Sequence, residues 1–119
     1  MSRLPCAQLK ITWQQPLGLW PGRVVAAHAL EFDRHGMALQ VDRPIIPGTH
    51  LLLRIEDEQL AVDALDAVVH NCREWSPGFR CGVQFRHALD VGDDAPLHVA
   101  LRAIERRLQD ILRLRQHFK

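Results

Sequence analysis

The segment that decides the fold is Phe79-Arg80-Cys81-Gly82-Val83-Gln84-Phe85. Its odd-numbered positions are apolar or nearly so, whereas its even-numbered positions carry polar side chains or none. Alternation with a period of two residues is typical of an antiparallel strand that buries one face and exposes the other. The segment therefore predicts a half-buried strand, in which Cys81 is a small core residue.

Further strands are predicted upstream of this segment, with short turns between them. They cover residues 9–13, 24–32, 37–41, 50–55 and 60–71. In the strand over residues 24–32 the even-numbered side chains are predicted to share one face, and in the last strand a bulge is predicted between Asp63 and Asp66. Glycine and proline mark the turns, as at Gly36 and Pro47-Gly48. Six short strands at this spacing favour an antiparallel barrel or sandwich over a parallel sheet.

A long helix is predicted after the strands. Asp93-Asp94 followed by Pro96 is a typical helix start, and apolar residues then recur every three or four positions. We expect residues 1–90 to form the barrel and residues 91–119 the helix. Two interpretations of its apolar face stay open, because it could cover an open end of the barrel or bind a partner or a second copy. The residues of that face are Leu101, Ile104, Leu108, Ile111, Leu112, Leu114 and Phe118.

Composition narrows the class of protein. A chain of 119 residues with 47% hydrophobic residues and a net charge of +1 is expected to fold as one domain, without the basic character of a nucleic-acid-binding protein. The sequence has neither a run of about 18 apolar residues nor a signal peptide, so neither membrane insertion nor export is expected. Three cysteines without a C-x-x-C pair indicate a reduced, cytoplasmic protein. No catalytic motif or metal-ligand spacing occurs, which predicts a protein that is not an enzyme and holds no metal or cofactor.

The order of strands and turns over about residues 3–87 resembles that of a PilZ domain, the small bacterial β-barrel known as a receptor for cyclic di-GMP. The resemblance implies a mainly β fold, with a six-stranded antiparallel barrel followed by a C-terminal helix. It also implies a role in cyclic di-GMP signalling, for instance in motility or type IV pilus function. Cyclic di-GMP would then be a regulatory ligand.

The ligand motif of the family is only partly present. The family has an Asp/Asn-x-Ser-x-x-Gly turn, and alignment on Gly36 places Glu31 at the first position and Asp33 at the serine position. The family also has an N-terminal Arg-x-x-x-Arg segment, but here the position four after Arg3 holds Ala7. A literal Arg-x-x-x-Arg occurs only at 102–106, on the predicted helix. The residues that the resemblance implies for ligand binding are Arg3, Arg23, Glu31, Asp33, Arg34 and Gly36.

Two functions therefore stay open. The first is an adaptor that acts through protein–protein contacts and binds cyclic di-GMP weakly or not at all. The second is a functional cyclic di-GMP receptor that binds the dinucleotide around Gly36 with nearby arginines. Asp33 weighs against the second function, because it places a carboxylate where the family has a neutral hydroxyl, facing a dianionic ligand.

Overall fold

The computed structural model describes residues 4–16, 22–86 and 96–117, apart from the side chains of residues 96, 116 and 117. These residues form seven strands and one helix. The elements are β1 (Leu4–Pro5), β2 (Lys10–Gln14), β3 (Val24–Phe32), β4 (Gly36–Val41), β5 (His50–Glu56), β6 (Ala61–Trp75), β7 (Gly78–Phe85) and α1 (Pro96–His117). The predicted boundary at residue 90 lies outside the described residues.

Six of the strands close into an antiparallel barrel. The neighbours follow the order β3-β2-β5-β6-β7-β4, and β4 pairs with β3 to complete the circle. The short strand β1 lies outside this circle and pairs with the last residues of β3, so that Leu4 is opposite Phe32. The prediction of a six-stranded antiparallel barrel followed by a long helix is confirmed.

The barrel core follows the predicted alternation in most strands. In β7, Cys81, Val83 and Phe85 are fully buried, while the residues between them are partly exposed. In β5 the buried set is Leu51, Leu53 and Ile55. The closed circle leaves no free sheet edge among its six strands, and the apolar side chains of all of them meet in one cluster.

Strand β3 departs from the predicted alternation. Val24, Ala26 and His28 are exposed as one face, but Phe32 is completely buried and its ring packs 5.8 Å from that of Phe85. The pairing of β3 with β4 shifts between Ala29 and Glu31. The prediction that all even-numbered side chains of this strand share one face is wrong, because this irregularity adds a residue and inverts the alternation after it.

Strand β6 contains the predicted bulge and a second irregularity. Its pairing with β5 passes from Leu65 to Val62 across a register shift, and Ala64 within that shift has a φ of 53°. Positive φ is uncommon for a residue with a side chain and is compatible with a bulge. The pairing with β7 shifts again between Val69 and Asn71. The bulge predicted between Asp63 and Asp66 is confirmed.

The helix α1 covers one end of the barrel. Leu101, Ile104 and Leu108 are buried in the barrel core. The Arg107 guanidinium lies 2.8 Å from Asp57 Oδ2, in the turn between β5 and β6, and also donates to Gln59. Apolar burial and polar contacts on the same side of the helix fix its position on the barrel. Within the described residues, no helix has the length and hydrophobicity needed to cross a bilayer.

Candidate functional site

The turn between β3 and β4 is held by the side chain of Asp33. Its Oδ1 accepts hydrogen bonds from the backbone N–H of His35 at 2.7 Å and from that of Gly36 at 2.9 Å. The Asp33 N–H in turn donates to the Gly36 carbonyl at 3.0 Å. An aspartate that bonds the backbone two and three residues later is a common way to stabilise a tight turn. The carboxylate at the serine position of the motif therefore holds its own loop together.

Glu31 is engaged by a neighbouring strand. Its Oε2 lies 3.2 Å from a terminal nitrogen of Arg80 on β7. The Glu31 side chain is 46% exposed and that of Arg80 is 20% exposed, so the pair sits at the barrel surface with its cation largely covered. The Arg80 guanidinium therefore compensates the charge of Glu31, the carboxylate at the first position of the turn motif.

The helix adds a third carboxylate at this turn. Glu105 of α1 is only 8% exposed, and its Oε2 accepts a hydrogen bond of 2.9 Å from the backbone N–H of Arg34. The Nε atom of the Arg34 guanidinium is buried there without a hydrogen-bond acceptor. The β3–β4 turn site, which comprises Glu31, Asp33, Arg34 and Gly36, is thus joined to both the barrel wall and α1.

The structure brings together only part of the predicted ligand set. The four residues of the β3–β4 turn site are adjacent, but Arg23 immediately precedes the first residue of β3, whereas the turn follows its last residue. An extended strand of this length separates Arg23 from the turn by about 25 Å. Arg3 lies outside the described residues.

The predicted partner face of the helix is divided. Leu101, Ile104 and Leu108 contact the barrel core, so they are not available to a partner. Ile111 and Leu112 are half-buried, and Leu114 is 57% exposed. Phe118 lies outside the described residues. Among the described residues of this face, the first three accordingly cover the barrel and Leu114 reaches solvent.

A shallow concavity lies beside the β3–β4 turn site, on the outer wall of the barrel. Register places Glu31, Ala38, Gly82 and Asn71 in one row across β3, β4, β7 and β6. The two central residues are small, and the concavity above them has a volume of about 300 Å³. The Asn71 Oδ1 accepts the Gly82 N–H at 3.2 Å. We call this concavity the arginine trough; its lining residues are Ala38, Asn71, Arg73, Arg80 and Gly82.

The two guanidinium groups that line the arginine trough both lie against one indole. The central guanidinium carbons of Arg73 and Arg80 lie 5.4 Å and 5.1 Å from the centre of the Trp75 ring. Both distances are within the range of a cation–π contact. Trp75 remains 40% exposed. The group therefore presents an aromatic surface with two positive charges that are already held in place.

Arg73 and Arg80 were not among the ligand residues predicted from the sequence. The signal that could have found them is the register of the β6–β7 hairpin, in which Trp75 is opposite Gly78 and Arg73 is opposite Arg80. The run Trp75-Ser76-Pro77-Gly78 has the residue types of a hairpin loop, and such a loop implies that register because opposite residues in an antiparallel pair are counted outward from the turn.

The site offers different chemistry at its two ends. The β3–β4 turn site presents carboxylates that are already bonded, whereas the arginine trough presents guanidinium groups and an amide that suit an anionic or carbonyl-bearing partner.

No protein-family model, no curated protein and no solved structure matches this chain.

Proposed function

We propose that this protein is a small PilZ-like signalling protein, which acts as an adaptor through protein–protein contacts and binds cyclic di-GMP weakly or not at all. One observation carries the proposal: the polar groups of the β3–β4 turn site are used within the chain. Asp33 bonds its own loop, Glu31 pairs with Arg80, and Glu105 accepts from Arg34. A dinucleotide would have to replace these contacts before it could gain any.

Charge at the turn also opposes a dianionic ligand. Asp33 and Glu105 are two carboxylates bonded to consecutive parts of the same loop. At an effective dielectric constant near 20, one carboxylate about 6 Å from a phosphate costs roughly 2–3 kcal/mol before screening by salt. A cost of about 1.4 kcal/mol already lowers affinity tenfold. The Arg34 guanidinium compensates part of this repulsion, so we expect weak binding and not a uniform exclusion of anions.

The arginine trough supplies a surface for a protein partner. Tryptophan and arginine are the residue types that most often dominate the binding energy of protein interfaces. Here Trp75 is partly exposed and flanked by Arg73 and Arg80, and the contacts between them restrict the side chains before any partner binds. Side chains that are already held in place in the free protein lose less conformational entropy when a partner binds. Glu31 pairs with Arg80 and not with Arg73. The Arg73 guanidinium therefore favours a partner segment that carries a carboxylate.

The place of such an adaptor is the bacterial cyclic di-GMP network, in a cytoplasmic pathway of motility or type IV pilus function. Support for this part of the proposal is the resemblance to the PilZ family together with the closed six-stranded barrel. An adaptor of this kind has neither a catalytic site nor a resident cofactor. Association of two copies through Leu112 and Leu114 at the far end of α1 is an additional option for the same protein.

Affinity capture with matched variants tests the proposal. The double variant Arg73→Ala/Arg80→Ala removes both cations of the arginine trough. The double variant Arg113→Ala/Arg115→Ala removes two exposed arginines at the far end of α1 and serves as the charge-matched control. A partner retained by the wild type and by the helix variant, but lost by the trough variant, supports the adaptor. A partner that binds all three proteins equally contradicts the proposed surface.

The arginine trough also favours the second candidate function, a cyclic di-GMP receptor. Arg80 pairs with Glu31, and Arg73 contacts the same indole as Arg80, so the two could supply the paired guanidiniums that the N-terminal motif lacks. Guanidinium groups bind phosphate in a forked geometry that suits such a ligand. Titration calorimetry of the wild type and Arg80→Ala separates the two functions, since a receptor would lose saturable cyclic di-GMP binding in the variant, whereas an adaptor shows no saturable binding in either protein.

A further inference from the structure

Two of the three cysteines face each other across neighbouring strands. Cys72 on β6 and Cys81 on β7 are direct partners in the register of the hairpin. Both are free thiols, and their sulfur atoms are 3.0 Å apart. Cys81 is fully buried, whereas Cys72 is half-buried. The pair is therefore a dithiol with one inner and one outer member.

The backbone around this dithiol already suits a disulfide. Residues directly opposite each other in an antiparallel pair have Cα atoms about 4.5–5.5 Å apart, within the range of about 4.4–6.8 Å seen in disulfides. The sulfur atoms have to approach by about 1 Å to reach bonding distance. The Ile45 N–H donates to Cys72 Sγ at 3.4 Å and keeps that sulfur next to its partner. Bond formation thus needs side-chain movement and little change in the barrel.

We propose that Cys72 and Cys81 form a redox-reactive modification site, which a two-electron oxidant such as hydrogen peroxide converts into a disulfide. In the first step Cys72 sulfur attacks a peroxide oxygen, the O–O bond breaks, and the departing oxygen leaves as water with the thiol proton. The product is a sulfenic acid on Cys72. In the second step Cys81 sulfur attacks Cys72 sulfur, the S–O bond breaks, and a second water leaves with the Cys81 proton. Two thiols are oxidised and one peroxide is reduced to two waters.

Burial assigns the two roles. An oxidant reaches Cys72 first because Cys81 has no exposed surface. Burial, together with the neighbouring Cys72, raises the pKa of Cys81 to about 12, so this thiol is protonated when the oxidant arrives and does not compete with Cys72 for it. The short distance between the sulfurs then favours the second step over further oxidation. Cys6 is fully buried, and burial and the nearby Glu31 raise its pKa to about 12, which protects it from the same oxidant.

The geometry favours a sulfur–sulfur bond over a metal. Two thiolates on one tetrahedral zinc ion lie about 3.8 Å apart, given Zn–S bonds of about 2.3 Å. The sulfurs of Cys72 and Cys81 are closer than that. In addition, the residues that the structure describes contain no cluster of three or more His, Cys, Asp or Glu side chains able to hold a metal ion.

Oxidation has a local consequence for the barrel surface. Arg73 follows Cys72 and Arg80 precedes Cys81, so the next pair in the hairpin register is that of the two arginines. A covalent link between the cysteines would fix the spacing of these strands beneath the arginine trough. The oxidation of Cys72 and Cys81 does not depend on the proposed adaptor function, because the experiment measures whether their sulfur atoms are thiols or a disulfide.

Peptide mapping of the wild-type protein tests the site. The folded protein is treated with hydrogen peroxide, its remaining thiols are alkylated with iodoacetamide in denaturant, and it is digested with trypsin without reduction. Cleavage after Arg54, Arg73, Arg80 and Arg86 places the two cysteines in separate peptides, 55–73 and 81–86. We expect these peptides to be recovered as one disulfide-linked species that dithiothreitol separates, with Cys6 alkylated. The urea midpoint of the oxidised wild type should rise by about 1 M, because the link closes a loop in the unfolded chain.

The variant Cys72→Ser is the matched control. It should give no linked peptide and no rise in the urea midpoint, while circular dichroism shows that it is folded. The proposal is overturned if both wild-type cysteines remain alkylatable, if Cys72 stops at the sulfinic acid, or if Cys6 replaces either cysteine in the linked species. It is also overturned if Cys72→Ser forms an internal disulfide as readily as the wild type.

Discussion

The contact between Glu105 and Arg34 gives the sharpest test of how the helix is attached to the β3–β4 turn site. Glu105 is 8% exposed and accepts the Arg34 N–H at 2.9 Å, across 71 residues of sequence. The substitution Glu105→Ala removes the acceptor and leaves a part-buried N–H without a partner. A bond to a charged group contributes about 1.5–3 kcal/mol, and an unsatisfied donor costs a similar amount. We therefore expect the free energy of unfolding to fall by about 2 kcal/mol.

Urea denaturation followed by circular dichroism measures this loss. With a slope of about 1–3 kcal/mol per molar urea, the midpoint should fall by about 1 M. The variant Glu105→Gln keeps an oxygen acceptor at the same position, so its loss should stay below about 1 kcal/mol. Glu58→Ala removes an exposed glutamate and should change stability by less than about 0.5 kcal/mol. If Glu105→Ala were as stable as Glu58→Ala, the bond to Arg34 would not hold the helix to the turn.

Three further predictions concern the helix, its ion pair and the turn. Ile104→Ala should lower the free energy of unfolding by about 2–5 kcal/mol because Ile104 is fully buried, whereas Leu114→Ala should cost less than about 0.5 kcal/mol; equal losses in urea denaturation would contradict the capping role of α1. Burial alone would raise the pKa of Asp57, but the N–H groups of Gln59 and Leu60 and the Arg107 guanidinium outweigh it and lower the pKa below 3.8, so protonation favours the unfolded state. The stabilisation by ionised Asp57 is present above pH 3.8 and is lost as the pH falls below that value. Asp57→Asn should thus be less stable than the wild type at pH 7, and the two proteins should have nearly equal stability at the acid end of a pH series. A difference in stability that stays constant with pH would refute the ion pair between Asp57 and Arg107 as its cause. Asp33→Asn combined with Glu105→Gln keeps the oxygen acceptors and removes two charges, so calorimetry should show saturable cyclic di-GMP binding below about 100 µM, where the wild type shows none; a double variant without saturable heat would mean that repulsion is not the obstacle.

Most of the fold could be predicted from the sequence because it depends on local patterns. Alternating apolar residues in the segment ending at Phe85 predict a strand whichever strands pair with it. Apolar residues three or four positions apart from Leu101 to Leu108 predict the buried face of a helix. The exception is the end of β3. The irregularity between Ala29 and Glu31 arises from pairing with β4 and not from any turn residue within the strand, so alternation alone placed Phe32 on the wrong face.

The candidate site was less predictable because its contacts join distant parts of the chain. Alignment on Gly36 located the turn correctly, yet nothing near Arg34 in the sequence indicates that Glu105 bonds it. The pairing of Glu31 with Arg80 likewise depends on the position of β7 relative to β3 in the closed barrel. Residue types at a turn predict what chemistry is possible, whereas their availability depends on tertiary contacts.

Titration calorimetry of the wild-type chain with cyclic di-GMP tests the claim that the polar groups of the β3–β4 turn site are used within the chain. We expect no saturable heat at ligand concentrations up to about 100 µM, which corresponds to a binding free energy weaker than about −5.5 kcal/mol. A dissociation constant in the micromolar range or tighter, weakened by Arg80→Ala or Arg34→Ala, would contradict the claim and identify the protein as a receptor.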